Sequence, residues 1–383
     1  MTGATAKRVY LDYAATSPLC PEAAAAMRPY FSDVFANADS VHSYGREAAR
    51  ALADARARIA ACLGAQPAEV YFTSGGTESD NWALKGVAFV RGKGRVIVSS
   101  IEHPAVFESA VQLATMGYDI VVLPVDGEGF VSPADLAAVV TPKTVLVSVM
   151  TANNEIGTVQ PVRELADIAH AAGALFHTDA VQAAGSTDIS VAALGADMVS
   201  LSSHKFGGPK GAGVLYVKKG VNILPLHSGG EQERGLRGGT SDVPSAVGTA
   251  AALEWTLGHA EEEGARVASI RDAFLRRALA LDGVHLNGTA DFSRRLHGNA
   301  SLHFDGVEGE ALLYALDLEG VAASNGSACS AGSNIISRTL KSIGLTDKQA
   351  RSTVRFTFGR GSTPEDADFA ANALERVLRR MRK

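Results

Sequence analysis

A chain of 383 residues, 46% hydrophobic and 20% charged, has the make-up of a well-buried soluble globule, long enough for two domains or a large and a small lobe. A net charge of −5 argues against direct nucleic-acid binding, and the three cysteines, without metal-ligand spacing, argue against a disulfide framework or a zinc site; no metal is expected. Residues 1–9 lack the apolar centre of a signal peptide and no run of about 18 apolar residues occurs, so a cytoplasmic protein with no membrane partner is expected.

Residues 9–16 read as a short strand entering a turn, and 21–31 as a helix with proline in its first turn. Cys20, beside that helix start, reads as a small packed residue. The stripe Ala48, Leu52, Ala55, Ile59 and Cys62 predicts an amphipathic helix over 45–63, with Cys62 in the core. Residues 70–73 are an apolar strand. Ser74-Gly75-Gly76-Thr77-Glu78-Ser79-Asp80-Asn81 follows, then a helical run over 82–90. A strand, a glycine turn and a helix start make an anion site of free N–H groups, although Glu78 and Asp80 read equally well as helix caps.

The next strand, 95–99, leads into Glu102-His103-Pro104. His103 lies just past a strand's end, where ligands bind in open α/β sheets, and is a candidate for stacking or proton transfer. Strands at 120–123 and 145–150 bracket a helix near 132–140. Asn153 and Asn154 then either form an Asx turn or present an amide to a ligand. A helix over 161–173 precedes a strand at 174–177 that ends in Thr178-Asp179-Ala180-Val181-Gln182. An aspartate in that position must be paired or hydrogen-bonded to stay charged, and a pyridinium N–H is a suitable partner.

The strand at 197–201 carries Ser202-Ser203-His204-Lys205 before the glycine-rich run 206–213. A lysine between hydroxyl, imidazole and bare backbone suits an amine that forms a Schiff base with an aldehyde cofactor. The series therefore puts Thr77, His103, Asn154, Asp179, Gln182 and Lys205 at successive strand ends, as a parallel sheet with one ligand crevice requires.

Beyond a strand at 213–217 lies a polar glycine-rich loop, 229–241, suited to an anion or a subunit contact. Helices are predicted over 246–259, 261–281, 309–318 and 366–381, and half-buried strands at 300–304 and 353–358. Cys329 stands in a run of small polar residues, 322–334, where a thiolate could act as a nucleophile.

Seven motifs, met in order between residues 10 and 360, together resemble the cysteine desulfurases. They are Thr77-Glu78-Ser79-Asp80-Asn81, Glu102-His103-Pro104-Ala105-Val106, Asn153-Asn154-Glu155-Ile156-Gly157, His177-Thr178-Asp179-Ala180-Val181-Gln182, Ser202-Ser203-His204-Lys205, Gly326-Ser327-Ala328-Cys329 and Arg355-Phe356-Thr357-Phe358-Gly359-Arg360. These enzymes are class V aminotransferase-like and depend on pyridoxal 5'-phosphate, with fold type I. The resemblance implies an α/β fold: a large domain, residues 15–255, with a mostly parallel sheet flanked by helices, and a smaller α+β domain, residues 1–14 and 256–383, carrying the cysteine loop. It implies Lys205 as the cofactor lysine, Asp179 on the pyridine nitrogen, Gln182 on the ring hydroxyl and His103 stacked on the ring. Gly76, Thr77, Ser202 and His204 would hold the phosphate, Thr240 would reach the partner subunit's phosphate in a homodimer, and Asn154 and Arg355 would hold the substrate carboxylate. Cys329 would take sulfur from L-cysteine as a persulfide, leaving alanine, and pass it to an acceptor protein, an iron–sulfur scaffold or a thiolation factor. A selenocysteine lyase or cysteine β-lyase on the same fold, and a sulfur-relay binding protein of low turnover, are the alternatives. Three stretches depart from the family pattern. Residues 37–42 lack the usual Asn-Pro, residues 332–336 lack a common proline, and the chain is expected to end with its last helix, without a tail for docking a scaffold.

Overall fold

The structure, a computed structural model, describes residues 7–326 and 336–382. In chain order the first part comprises β1 (Val9–Tyr10), α1 (Pro21–Met27), α2 (Ser43–Leu63), β2 (Val70–Thr73), α3 (Gly76–Arg91), β3 (Arg95–Ser99), α4 (Pro104–Thr115), β4 (Asp119–Leu123), α5 (Pro133–Val139), β5 (Thr144–Ser148), α6 (Val162–Ala171), β6 (Leu175–Asp179), α7 (Val191–Leu194), β7 (Met198–Ser202), β8 (Gly213–Val217) and α8 (Val243–Gly258). The second comprises α9 (Ala260–Ala278), β9 (Val284–Leu286), β10 (Asn299–Phe304), α10 (Gly309–Leu318), β11 (Val321–Ala322), α11 (Arg338–Ser342), α12 (Asp347–Arg351), β12 (Thr353–Thr357) and α13 (Pro364–Met381).

Seven strands form the central sheet in the order β2-β8-β7-β6-β5-β3-β4. β8 runs antiparallel to both its neighbours, and every other pair is parallel. Successive side chains point to opposite faces of a strand, so each strand feeds two cores. Val147, Phe176, Val199 and Val214 join the core under α2, α6 and α8, while Leu146, Met198 and Leu215 join the one under α3 and α4. Burial on both faces goes with the continuous apolar run of β8, and it also encloses the polar residues of β5 and β7, Thr144, Ser148, Ser200 and Ser202.

β12, β10 and β9 make a separate antiparallel sheet, packed with α9, α10 and α13 around their own core. Val9 and Leu11 belong to this second core, and β1 pairs with β11, so the first strand of the chain is built into the C-terminal part. Among the described residues no helix is long and apolar enough to cross a membrane.

Three of the differences from the sequence expectation have a local cause at a glycine or a proline. The helix expected over 82–90 begins six residues earlier, at Gly76, directly on the glycine turn. The helix expected over 21–31 is α-helical only to Met27 and continues as a 3₁₀ turn, Arg28–Phe31, where Pro29 has no N–H to give. A helix, α4, follows His103: Pro104 is its first residue, where the missing N–H costs nothing.

Candidate active site

The ends of β3, β5, β6 and β7, the N-terminus of α3 and Arg355 of β12 open onto one cavity of about 780 Å³. Gly76, Thr77, His103, Asn154, Asp179, Gln182, Ser202, His204, Lys205 and Arg355 all line it. Thr240 does not; it is exposed on the loop before α8. Cys329 lies outside the described residues, but both residues that bracket that stretch, Gly326 and Ile336, line the cavity.

At the α3 end, Gly75 has φ +152°, a region that only glycine visits cheaply. A Cβ on Gly76 would meet Val181 Cγ2 at 2.7 Å, so the helix start is packed tightly against the turn after Asp179. Glu78 reaches back to accept the Ser74 N–H at 2.7 Å and is gripped by Arg237 Nε at 2.9 Å. It is therefore the clip that joins the glycine turn to loop 229–241. The motif's other acid, Asp80, is fully buried, and its Oδ1 has no hydrogen-bond partner among the described residues.

His103 caps α4, with Nδ1 accepting the Ala105 N–H at 3.1 Å, which leaves the ring proton of the neutral imidazole to Nε2. Burial pushes its pKa down, against the pull of Asp179. Beside it, burial pushes Glu102 up to about 8; Oε1 accepts from Ser99 Oγ at 2.5 Å and from the Met150 N–H at 2.8 Å, and Oε2 is buried without a partner among the described residues. The two asparagines divide their tasks. Asn153 forms the Asx turn, its Oδ1 accepting the N–H groups of Glu155 and Ile156, and Asn154 faces the cavity.

Burial raises the pKa of Asp179, opposed by His103, the Val181 N–H (2.9 Å) and Lys205. Behind it, His177 is fully buried and pushed down to about 3, its two ring nitrogens bonded to Ser148 and Ser200 hydroxyls at 2.8 and 3.0 Å. Lys205 Nζ donates to the carbonyls of Ala14 and Ala15 at 2.6 and 3.0 Å, and Gln182 Nε2 donates to the same Ala14 carbonyl at 2.9 Å. His204, pushed down to about 4 by burial and by Lys205 and Lys210, bonds Thr16 Oγ1 at 3.0 Å.

Arg355 comes from the small sheet. Its Nη2 pairs with Asp12 at 2.9 Å, its Nη1 donates to the Asn154 and Gly326 carbonyls at 2.8 and 3.0 Å, and its buried Nε has no partner among the described residues. Past the undescribed stretch, Ser337 Oγ donates to Glu155 at 2.5 Å, and Arg338 donates to the carbonyls of Ser100 and Glu102. Sequence reading missed Asp12, Asp80, Glu102, Glu155 and Arg338. The only signal for Asp80 and Glu102 was an acid set within an otherwise buried motif.

A model of the class-V aminotransferase family matches residues 9–369, and the chain belongs to that family. Its place there is among the cysteine desulfurases, a group of enzymes that depend on pyridoxal phosphate. It is 45% identical over 380 residues to the cysteine desulfurase IscS of Dictyoglomus turgidum, covering 98% of this chain and 96% of that one. A solved NifS-like protein superposes with a TM-score of 0.92 at 34% identity, over 97% of this chain and all of that one. A structure of SspA in complex with cysteine gives 0.82 at 35% identity, over 92% and 99%.

Proposed function

We infer that the chain is a pyridoxal-phosphate-dependent desulfurase that converts L-cysteine to L-alanine and carries the sulfur away as a persulfide on Cys329. The observation that carries this reading is the convergence, in one cavity, of a buried strand-end carboxylate, a lysine and an open helix N-terminus. The donor set suits the cofactor. The N-terminus of α3, with Gly76, Thr77, Ser202 and His204, offers N–H and hydroxyl groups to a phosphate, and Gly76 has no Cβ to fill the cradle. Asp179 would take the pyridine N–H, Gln182 the ring hydroxyl, and Lys205 would hold the aldehyde.

When bound, pyridoxal phosphate supplies an electron sink for negative charge on the carbon beside the substrate amine. The protein's own groups do the rest. Arg355 and Asn154 hold the substrate carboxylate, and Lys205 Nζ takes the proton from the α-carbon. His103, neutral at pH 7, would pack on the ring and move protons through Nε2. The Cys329 thiolate forms an S–S bond to the substrate sulfur as the Cβ–S bond breaks. The bond's electron pair stays on the β-carbon, which takes up a proton; Lys205 Nζ returns the first proton to the α-carbon, and alanine leaves.

Cys329 is three residues from Gly326, a span of at most about 11 Å, which supports its reaching the cavity. On this reading residues 15–255 hold the cofactor, while residues 1–14 and 256–383 carry the cysteine. Two chains share their sites through Thr240. The enzyme works in the cytoplasm, where thiols stay reduced, and an acceptor protein such as an iron–sulfur scaffold or thiolation factor removes the persulfide.

The test is to incubate the purified protein with L-cysteine and a reductant, following the visible spectrum, alanine and sulfide, beside Cys329→Ala. A yellow protein making alanine and sulfide in equal amounts, with a coloured but inactive variant, is expected. A colourless protein would sink the role of Lys205, and a variant that still turns over cysteine would make the enzyme a β-lyase.

A further inference from the structure

The described residues hold two clusters of potential metal ligands. One, Asp80, His103 and Asp179, belongs to the cavity above; the other, His285, His303 and Asp305, lies on the small sheet. His285 is on the edge strand β9 and faces His303 of β10 across the pair. Their rings stack with centroids 4.7 Å apart and 22° between planes. Asp305, just past β10, sets Oδ2 at 3.0 Å from His285 Nε2. One ligand atom from each of the three lies within 4.8 Å of the others.

A chain of hydrogen bonds behind His303 settles which of its nitrogens carries the proton. Thr353 Oγ1 gives its single hydrogen to the Gln349 carbonyl at 3.0 Å, so toward Asn287 it can only accept, from Nδ2 at 3.4 Å. Asn287 is buried, and Nδ2 also meets Ser301 Oγ at 3.2 Å. Its Oδ1 is thereby turned to His303 Nδ1 at 2.7 Å, which must be N–H. The ring's lone pair is left on Nε2. Metal-bound histidines are held in this way, with the other nitrogen donating to an oxygen. Burial and the neighbouring His285 keep the His303 imidazole below its usual range, and His285 holds the Asp305 carboxyl below its own. Arg382, close to Asp305, is turned to the main-chain carbonyls of Asp282, Gly283 and Asp305.

We propose that His285, His303 and Asp305 form a binding site for a divalent transition-metal ion of the zinc type, clipping the edge strand β9 to β10. Two imidazoles and one carboxylate suit Zn²⁺, Ni²⁺ or Cu²⁺ rather than Mg²⁺ or Ca²⁺, and three protein ligands leave a position open to solvent. His303 is fixed, and the half-exposed His285 and Asp305 close onto the ion by side-chain rotation. Cysteine spacing, the ground for expecting no zinc site, says nothing of two histidines brought together across strands.

Zinc titration by calorimetry should use the cofactor-loaded Cys329→Ala protein, so that neither the catalytic thiol nor the cavity cluster takes the ion. One equivalent of Zn²⁺ per chain and a rise in melting temperature are expected. His303→Ala and Asp305→Asn, made in that protein, should lose both; Asp305→Asn keeps a hydrogen-bonding group beside His285 and so guards against misfolding. Asn287→Ala should weaken binding by about 10–100-fold through the ring's orientation. No uptake by the parent protein, uptake unchanged in both His303→Ala and Asp305→Asn, or equal uptake of Mg²⁺ would overturn the proposal.

Discussion

Arg355 binds two parts of the chain together before it binds any substrate. It is fully buried, fastened to Asp12 and to the carbonyls of Asn154 and Gly326, with Nε unpaired among the described residues. A buried donor without a partner is costly, and a substrate carboxylate would relieve it. Lysine keeps the charge but loses the planar fork. Arg355→Lys should therefore lower kcat/KM for L-cysteine by about ten- to a hundredfold, the worth of one or two charged hydrogen bonds, chiefly through KM; a wild-type KM would remove Arg355 from substrate binding. Glu102 makes a prediction about pH. Its folded pKa, about 8, lies above the ordinary carboxyl value of 4.5 because burial favours the protonated form. Its contribution to stability is present in full below pH 4.5 and is lost as pH rises through about 8. Between pH 6 and 9 the melting temperature should fall more steeply for the wild type than for Glu102→Gln, whose amide stays neutral; parallel curves would show that Glu102 is ionised in the folded protein. The strand-end residues of this site were legible in the sequence because buried apolar runs stop where the chemistry begins. Asp12 was not, since 343 residues separate it from Arg355 and only the fold joins them.

Elements were read best where one physical signal ruled. The strands of the central sheet, the edge strand β4 apart, are buried on both faces, so a short apolar run was sufficient to find them. The start of α3 was hidden because Gly75 and Gly76 look like a break, whereas their bare backbone lets the helix begin against Val181. α4 was hidden because Pro104 looks like a stop, although a proline is equally at home as a first helical residue. α11 and α12 are too short to show a helical period. Loop 229–241 reads as loose glycine-rich chain, yet buried pairs hold it. Glu233 and Arg234 both adopt left-handed backbone, φ 46° and 61°. Glu233 takes a two-pronged bond from Arg56, both contacts at 2.6 Å, and the Phe72 N–H at 3.0 Å; the Arg234 guanidinium lies 3.9 Å from the Tyr71 ring centre. These side chains hold a conformation that the backbone alone disfavours. Glu233→Ala takes its charge partner from the largely buried Arg56, leaving it the Val70 carbonyl, a loss of about 3 kcal/mol, read as a lower urea midpoint at unchanged slope. A change within error would mean that the loop is held elsewhere, by Arg237 and Glu78.

At the scale of the whole molecule, the sequence suggested two subunits only through its family likeness, and the surface now supplies a physical reason. From the end of α1 to the first turn of α2, Phe31, Phe35, Val41 and Tyr44 are 66%, 68%, 89% and 60% exposed, and the Phe35 and Tyr44 rings lie 6.5 Å apart. Large apolar side chains gathered on one surface segment mark an interaction site more often than a solvated face. A second copy of the chain covering it would account for their exposure here and for the absence of Thr240 from its own cavity lining. A stable interface of this kind buries upwards of about 1,000 Å², and a charge at its centre would have to be desolvated. Phe35→Asp combined with Val41→Asp should therefore shift the sedimentation mass from two chains to one. The same change should speed loss of the cofactor's visible band on dilution, because each Thr240 would no longer reach the other chain's phosphate. If the double variant still sediments as two chains, the patch serves another partner; if the wild type sediments as one, Thr240 has no cofactor role, and the cavity must hold the phosphate with its own residues alone.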